Sequence, residues 1–174
     1  QTEFIEVSKK ELIDSAEAGD AEALYLLGLE KLEGKDDQLG LKYIRQAAKK
    51  GHVEAQLKLS EMAAGNKEAA EWLLMAAEQG NASAQRKLGQ LHLKRAEHAK
   101  AAVPGSSISS SRTNKAEARK WLREAADQGD DVAIRDLGEI YEEETRERKR
   151  KVRKKAKQRA ALMVLSIIGF LCLW

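Results

Sequence analysis

Apolar residues recur three to four positions apart along most of the chain, the rhythm of a helix with one buried face. Four times that rhythm stops at a glycine, passes a polar residue, and resumes in the same alanine-rich pattern. The four stretches are AEAGDAEALYLLG (Ala16–Gly28), AAKKGHVEAQLKLS (Ala47–Ser60), AAEQGNASAQRKLG (Ala76–Gly89) and AADQGDDVAIRDLG (Ala125–Gly138). Aligned on their turn glycines, Gly19, Gly51, Gly80 and Gly129, they place an alanine four residues on (Ala23, Ala55, Ala84, Ala133) and a leucine eight on (Leu27, Leu59, Leu88, Leu137). A small residue follows that leucine in every case: Gly28, Ser60, Gly89 or Gly138. Seven residues before the glycine stands Leu12, Ile44, Leu73 or Leu122; eight before it stand Tyr43, Trp72 and Trp121, with Glu11 in the first copy.

Each turn glycine can take the left-handed conformation that closes a helix, and Asp20, Asn81 and Asp130 can cap the helix that follows, His52 more weakly. The pattern therefore predicts helical hairpins in series. Small residues at Ala23 and Gly28, or Ala84 and Gly89, let a neighbouring helix approach closely, while Tyr43, Trp72, Trp121 and the leucines fill the space between pairs. One such hairpin cannot bury its own apolar face, but a stack can. The third interval between turn glycines is longer than the others, and the excess lies at 101–114, AAVPGSSISSSRTN, which holds the sole proline and five serines. This composition predicts a flexible surface loop, open to phosphorylation.

The bulk numbers agree with helix: 43% hydrophobic, 5% aromatic and one proline, with no strand pattern. They also exclude chemistry. The single cysteine, Cys172, forms no intrachain disulfide, and His52, His92 and His98 read as surface residues too scattered for a metal site. The glycines fall in helix-ending turns instead of a phosphate-cradling loop, and carboxylates such as Glu17 and Glu78 sit at solvated helix ends. No catalytic, cofactor-binding or metal-ligating residue is assigned, and no small-molecule substrate is expected.

Charge divides the chain in two. Up to Thr145 there are 21 basic against 27 acidic residues; from Arg146 onward there are ten against one. The basic residues are Arg146, Arg148, Lys149, Arg150, Lys151, Arg153, Lys154, Lys155, Lys157 and Arg159, and the uncharged AALMVLSIIGFLCLW follows at once. A basic collar before an apolar run predicts contact with anionic lipid and a body on the cytoplasmic side of a membrane. Without interleaved aromatics the collar does not read as a nucleic-acid site. At ~1.5 Å per residue the apolar run spans about 22 Å, short of a roughly 30 Å hydrocarbon core, so it is read as a transmembrane segment cut short.

The motif AAxxGxxxAxxxLG, carried by Ala76, Ala77, Gly80, Ala84, Leu88 and Gly89 and again from Ala125 to Gly138, resembles the Sel-one-like repeat, a relative of the tetratricopeptide repeat. The second copy departs at Ser60 and the first at Glu11. The resemblance implies an all-α solenoid of about four helix-turn-helix repeats and a non-enzymatic adaptor or scaffold. Its concave face, lined by the first helix of each pair, would bind a protein partner through Tyr25, Leu26, Leu57, Lys58, Arg86, Lys87, Arg135 and Asp136. The expected organisation is an extension at 1–10, the solenoid at 11–145 with its inserted loop at 101–114, a basic juxtamembrane segment at 146–159 and the membrane segment at 160–174. The alternative is the cytosolic front of a larger polytopic membrane protein, a wolframin-like arrangement.

Overall fold

The structure, a computed structural model, describes residues 2–63, 66–102 and 108–171. Among these it contains eight α-helices and no strand: α1 (Thr2–Glu17), α2 (Ala21–Glu33), α3 (Asp37–Lys49), α4 (Val53–Met62), α5 (Asn66–Glu78), α6 (Ala82–Ala102), α7 (Ile108–Asp127) and α8 (Asp131–Leu171). Two compact units result, Gln1–Ile134 and Arg135–Trp174, with α8 running from the first into the second.

The first unit is an all-α helical-repeat solenoid in which each helix from α1 to α7 packs on its neighbours in sequence. Its punctuation is local chemistry. Gly19, Gly51, Gly80 and Gly129 all have φ between 86° and 94°, which only glycine adopts without strain. Beside them the last helical carbonyls are satisfied in Schellman fashion, Asp20 N–H bonding Ser15 O at 3.0 Å and Asn81 N–H bonding Ala76 O at 3.2 Å. The next helix is capped at once: Ala23 N–H donates to Asp20 Oδ1 at 2.7 Å, Ala84 N–H to Asn81 Oδ1 at 2.9 Å and Ala133 N–H to Asp130 Oδ1 at 2.9 Å.

Packing follows the repeat alanines. Ala47, Ala55, Ala76, Ala84, Ala125 and Ala133 are fully buried. One apolar cluster gathers Leu24, Leu27, Ile44 and Leu59, with Tyr43 and Trp72 packed against it; a second gathers Leu73, Leu88 and Trp121. The closest approaches fall at Gly28 and Gly89. A Cβ on Gly28 would lie 2.6 Å from Ile44 Cγ1, and one on Gly89 would lie 2.7 Å from Leu122 Cγ. No larger residue fits either position with the neighbouring helix in place.

The insertion differs from the expected loop. Residues 101–102 end α6 and 108–114 begin α7, so the insertion lengthens a helical hairpin; only 103–107, which include Ser106 and Ser107, lie outside the described residues. Serines favour turns because they compete for backbone partners. Here that competition is turned inward: Ser111 is buried and its Oγ donates to Ala96 O at 2.9 Å, while Thr113 Oγ1 donates to Ser109 O at 3.1 Å.

In the second unit, the rest of α8 carries the basic residues from Arg146 to Arg159, all exposed. The expected transmembrane segment at 160–174 finds no support: among the described residues no helix is long and apolar enough to cross a membrane. Residues 172–174 lie outside the described residues.

Candidate interaction surface

The first helices of successive hairpins, α2, α4 and α6, begin at equivalent caps, so their side chains at equal distances from the turn glycines recur in register. Six and seven residues past each glycine stand the side chains expected to meet a partner. The structure engages several of them with adjacent repeats.

Tyr25 is half-buried, its ring tilted 30° against that of His52 with centroids 4.6 Å apart. Burial pushes its hydroxyl pKa up, and the nearby carboxylates of Glu54, Glu22 and Glu61 add to the rise. Arg86 Nε donates to Asp130 Oδ2 at 3.0 Å, linking α6 to the cap of α8. Lys87 Nζ donates to Glu61 of α4, and that bond holds the Glu61 carboxyl below its ordinary value. Asp130 is lowered too: burial opposes its ionisation, but the Ala133 amide and then Arg86 outweigh that penalty. Lys58 is half-buried, and Leu57 packs against the second apolar cluster. Arg135, two-thirds exposed, reaches Asp136 on its own helix at 3.4 Å.

Leu26 is different. It stands 43% exposed in an open groove of ≈ 690 Å³ between α1 and α2, floored by Leu12, Ala23 and Leu26 and rimmed by Lys9, Glu11 and Glu30. Lys9 bonds Glu30 across the rim, which lowers the Glu30 carboxyl. The surface thus combines fixed opposite charges with an apolar floor.

Two features escaped the sequence reading. His52, expected at the surface, has a side chain only 9% exposed: its Nδ1 accepts from Ala55 N–H at 3.2 Å and its Nε2 lies 2.8 Å from Glu22 Oε2. Accepting at Nδ1 requires the neutral ring to carry its proton on Nε2, which then donates to Glu22. The second is a pair of buried glutamines. Gln56 donates to Ala48 O at 3.0 Å and accepts from Gln79 at 2.9 Å; Gln85 donates to Ala77 O at 3.2 Å and accepts from Gln128 at 2.7 Å. Each ties three consecutive helices. The signal was present as glutamine five residues after Gly51 and Gly80 and one before Gly80 and Gly129.

Among the described residues no group of histidine, cysteine or carboxylate side chains could hold a metal ion.

A family model described as the Sel1 repeat matches residues 21–52, 53–81, 82–97 and 105–130, and its interruption falls at the lengthened α6–α7 hairpin. Among solved structures, a Sel1 repeat protein from Oxalobacter formigenes is similar at 25% identity and a TM-score of 0.59, over 75% of this chain and 96% of that one. A protective antigen present in uropathogenic Escherichia coli strains, displaying an SLR fold, is similar at 26% identity and a TM-score of 0.55 over 76% of this chain. The match spans 28% of that protein's length. No curated protein matches the chain significantly in sequence.

Proposed function

Because the chain belongs to the Sel1 repeat family, whose repeats mediate protein–protein interactions, we propose that it is a non-enzymatic scaffold that binds a protein partner on the first-helix face of its repeats. The observation that carries this reading is the groove at Leu26, where an exposed apolar side chain lies beside the Lys9–Glu30 ion pair. Such a surface suits a segment that inserts one apolar side chain and matches the surrounding charges. Tyr25, Lys58, Arg86, Lys87 and Arg135 would then contribute in two ways. Those bridged to neighbouring repeats hold the surface in shape, and Lys58 and Arg135 offer charge to the partner.

The test is cross-linking of the full chain to its partners in cell extract, with the contact residues mapped by mass spectrometry. Cross-links should concentrate on α1, α2 and α4, and Leu26→Asp should reduce them at least tenfold without lowering helicity. Cross-links confined to α8, or unaffected by Leu26→Asp, would contradict the reading.

A second partner is favoured by α8. Its basic residues from Arg146 to Arg159 are exposed, and Leu162 and Met163, 66% and 68% exposed, follow on the same helix. We infer contact with the surface of an anionic bilayer, the basic side chains at the headgroups and the apolar tip beneath them. Vesicles containing phosphatidylserine should capture the full chain and lose it at high salt. Equal capture by neutral phosphatidylcholine vesicles would remove the electrostatic part of this reading.

A further inference from the structure

Of the four helices that follow the turn glycines, three are capped by oxygen and one by nitrogen. Asp20, Asn81 and Asp130 accept from the amides of Ala23, Ala84 and Ala133 through side-chain oxygens, whereas His52 accepts from Ala55 N–H through Nδ1 at 3.2 Å. A ring nitrogen accepts only while it carries no proton, so this cap belongs to the neutral imidazole alone. Histidine is also the side chain whose ordinary charge change falls between about pH 5 and pH 8, a range over which aspartate and asparagine caps keep their acceptors.

The surroundings of the ring address both nitrogens. From α2, Glu22 Oε2 lies 2.8 Å from Nε2 and the Tyr25 ring packs with centroids 4.6 Å apart; from α4 itself, Glu54 Oε2 lies 3.5 Å from Nδ1. Glu61, further along α4, acts on the Tyr25 hydroxyl. Lys50 at the end of α3 extends toward the first turn, its Nζ 3.0 Å from the place of a Cβ on Gly19, and α5 brings the uncharged Gln79 beside Gly51. Asp20 is engaged in its own cap. One carboxylate therefore stands at each ring nitrogen. Glu54 Oε2 and the unprotonated Nδ1 are both acceptors, so the neutral ring makes no hydrogen bond on that side beyond the cap.

We propose that His52 makes the junction between the first two repeats responsive to protons, exchanging the cap of α4 for an ion pair. A proton from water adds to the Nδ1 lone pair, and no covalent bond of the chain breaks. The new N–H then opposes the Ala55 N–H, so the cap opens and Nδ1–H turns to Glu54 Oε2, while Nε2–H keeps Glu22 as a charge-assisted bond. The ring stays tied to α2; the first turn of α4 loosens. Since Glu22 also lines the groove at Leu26, the imidazolium offsets one of that groove's carboxylates. None of this requires a partner in the groove.

The test is NMR of the isotope-labelled full chain between about pH 8 and pH 5, following the imidazole nitrogens and amide exchange corrected for its intrinsic pH dependence. At the upper end the His52 ring should carry its proton on Nε2. As the ring titrates, protection of the Ala55 amide should fall at least fivefold with the same midpoint, and the Glu54 carboxyl carbon should move with it. The equivalent amides of Ala23, Ala84 and Ala133, capped by oxygen, should stay within twofold. His52→Asn, which still caps, should hold Ala55 constant across the range. A neutral ring protonated on Nδ1, a ring that does not titrate in this range, or an Ala55 amide that ignores the titration would overturn the proposal. So would loss of protection at all four amides together, or the same response in His52→Asn.

Discussion

Helices α6 and α8 begin alike and diverge within three turns. Each follows a glycine at φ 86–87°, is capped by Asn81 or Asp130, buries the fourth-residue alanine, and carries glycine nine residues on. A Cβ on Gly89 would meet Leu122 and Ala118 of α7, while one on Gly138 would meet nothing within 4 Å among the described residues. Identical local chemistry thus specifies where a helix starts. Whether its face is buried depends on a second helix that the local motif does not encode. A repeat array is built on this separation: caps set the boundaries, and nearest-neighbour packing supplies the stability.

The comparison can be broken hardest at the large side chains. Trp121 is 6% exposed in the second cluster, with Lys120 Nζ 4.4 Å from its ring centroid. Trp121→Ala should cost about 3–5 kcal/mol in urea unfolding. A loss under about 1 kcal/mol would mean that the α6–α7 pair does not depend on the aromatic position.

Next come the caps. Asp130→Ala removes both the α8 cap and the Arg86 contact and should cost about 1–2 kcal/mol; Asn81→Ala removes a cap alone and should cost nearer to about 1 kcal/mol. Equal losses would show that the Arg86–Asp130 pair contributes nothing.

Acid titration sharpens the same point. The folded pKa values of Asp130, Glu61 and Glu30 are lowered, so their contribution is complete above the unfolded carboxylate values, near pH 4, and is lost as pH falls through the folded ones. Thermal stability should be flat from about pH 7 to pH 5 and drop below about pH 4. Asp130→Asn, which still caps, should make that drop shallower. Glu61 and Glu30 are more exposed, and their share is reduced by solvent screening.

The smallest effect belongs to α8 alone. Arg146 bonds Glu142 at 2.8 Å, an i,i+4 pair on an exposed face, so Glu142→Gln should cost about 0.3–0.5 kcal/mol of helix stability and lose that effect in high salt.

Turns, caps and hairpin series were legible because each rests on a few adjacent residues. Gly19, Gly51, Gly80 and Gly129 announced a backbone conformation, and Asp20, Asn81 and Asp130 announced caps. The insertion was less legible, since the helix there depends on Ser111 reaching Ala96, fifteen residues away, where serine content alone argues for a loop. The side chains proposed for the interaction surface could be counted from the turn glycines, but their contacts within the fold could not. Six-residue counting located Tyr25 and Arg86, but their pairing with His52 and Asp130 joins residues 27 and 44 apart. His52 was misread because a histidine cap is chemically weak, and the contacts with Glu22 and Tyr25 of the preceding repeat that help bury its ring are distant in sequence.

The most direct test of nearest-neighbour packing is a paired substitution, Gly89→Ala and Gly138→Ala, each measured by urea unfolding of the full chain. The added methyl on Gly89 must displace Leu122 and should cost about 1–3 kcal/mol, while the same methyl on Gly138 removes a helix-interior glycine in open space and should stabilise by about 0.5–1 kcal/mol. Equal changes at the two positions would contradict the account, because the two glycines would then share the same surroundings.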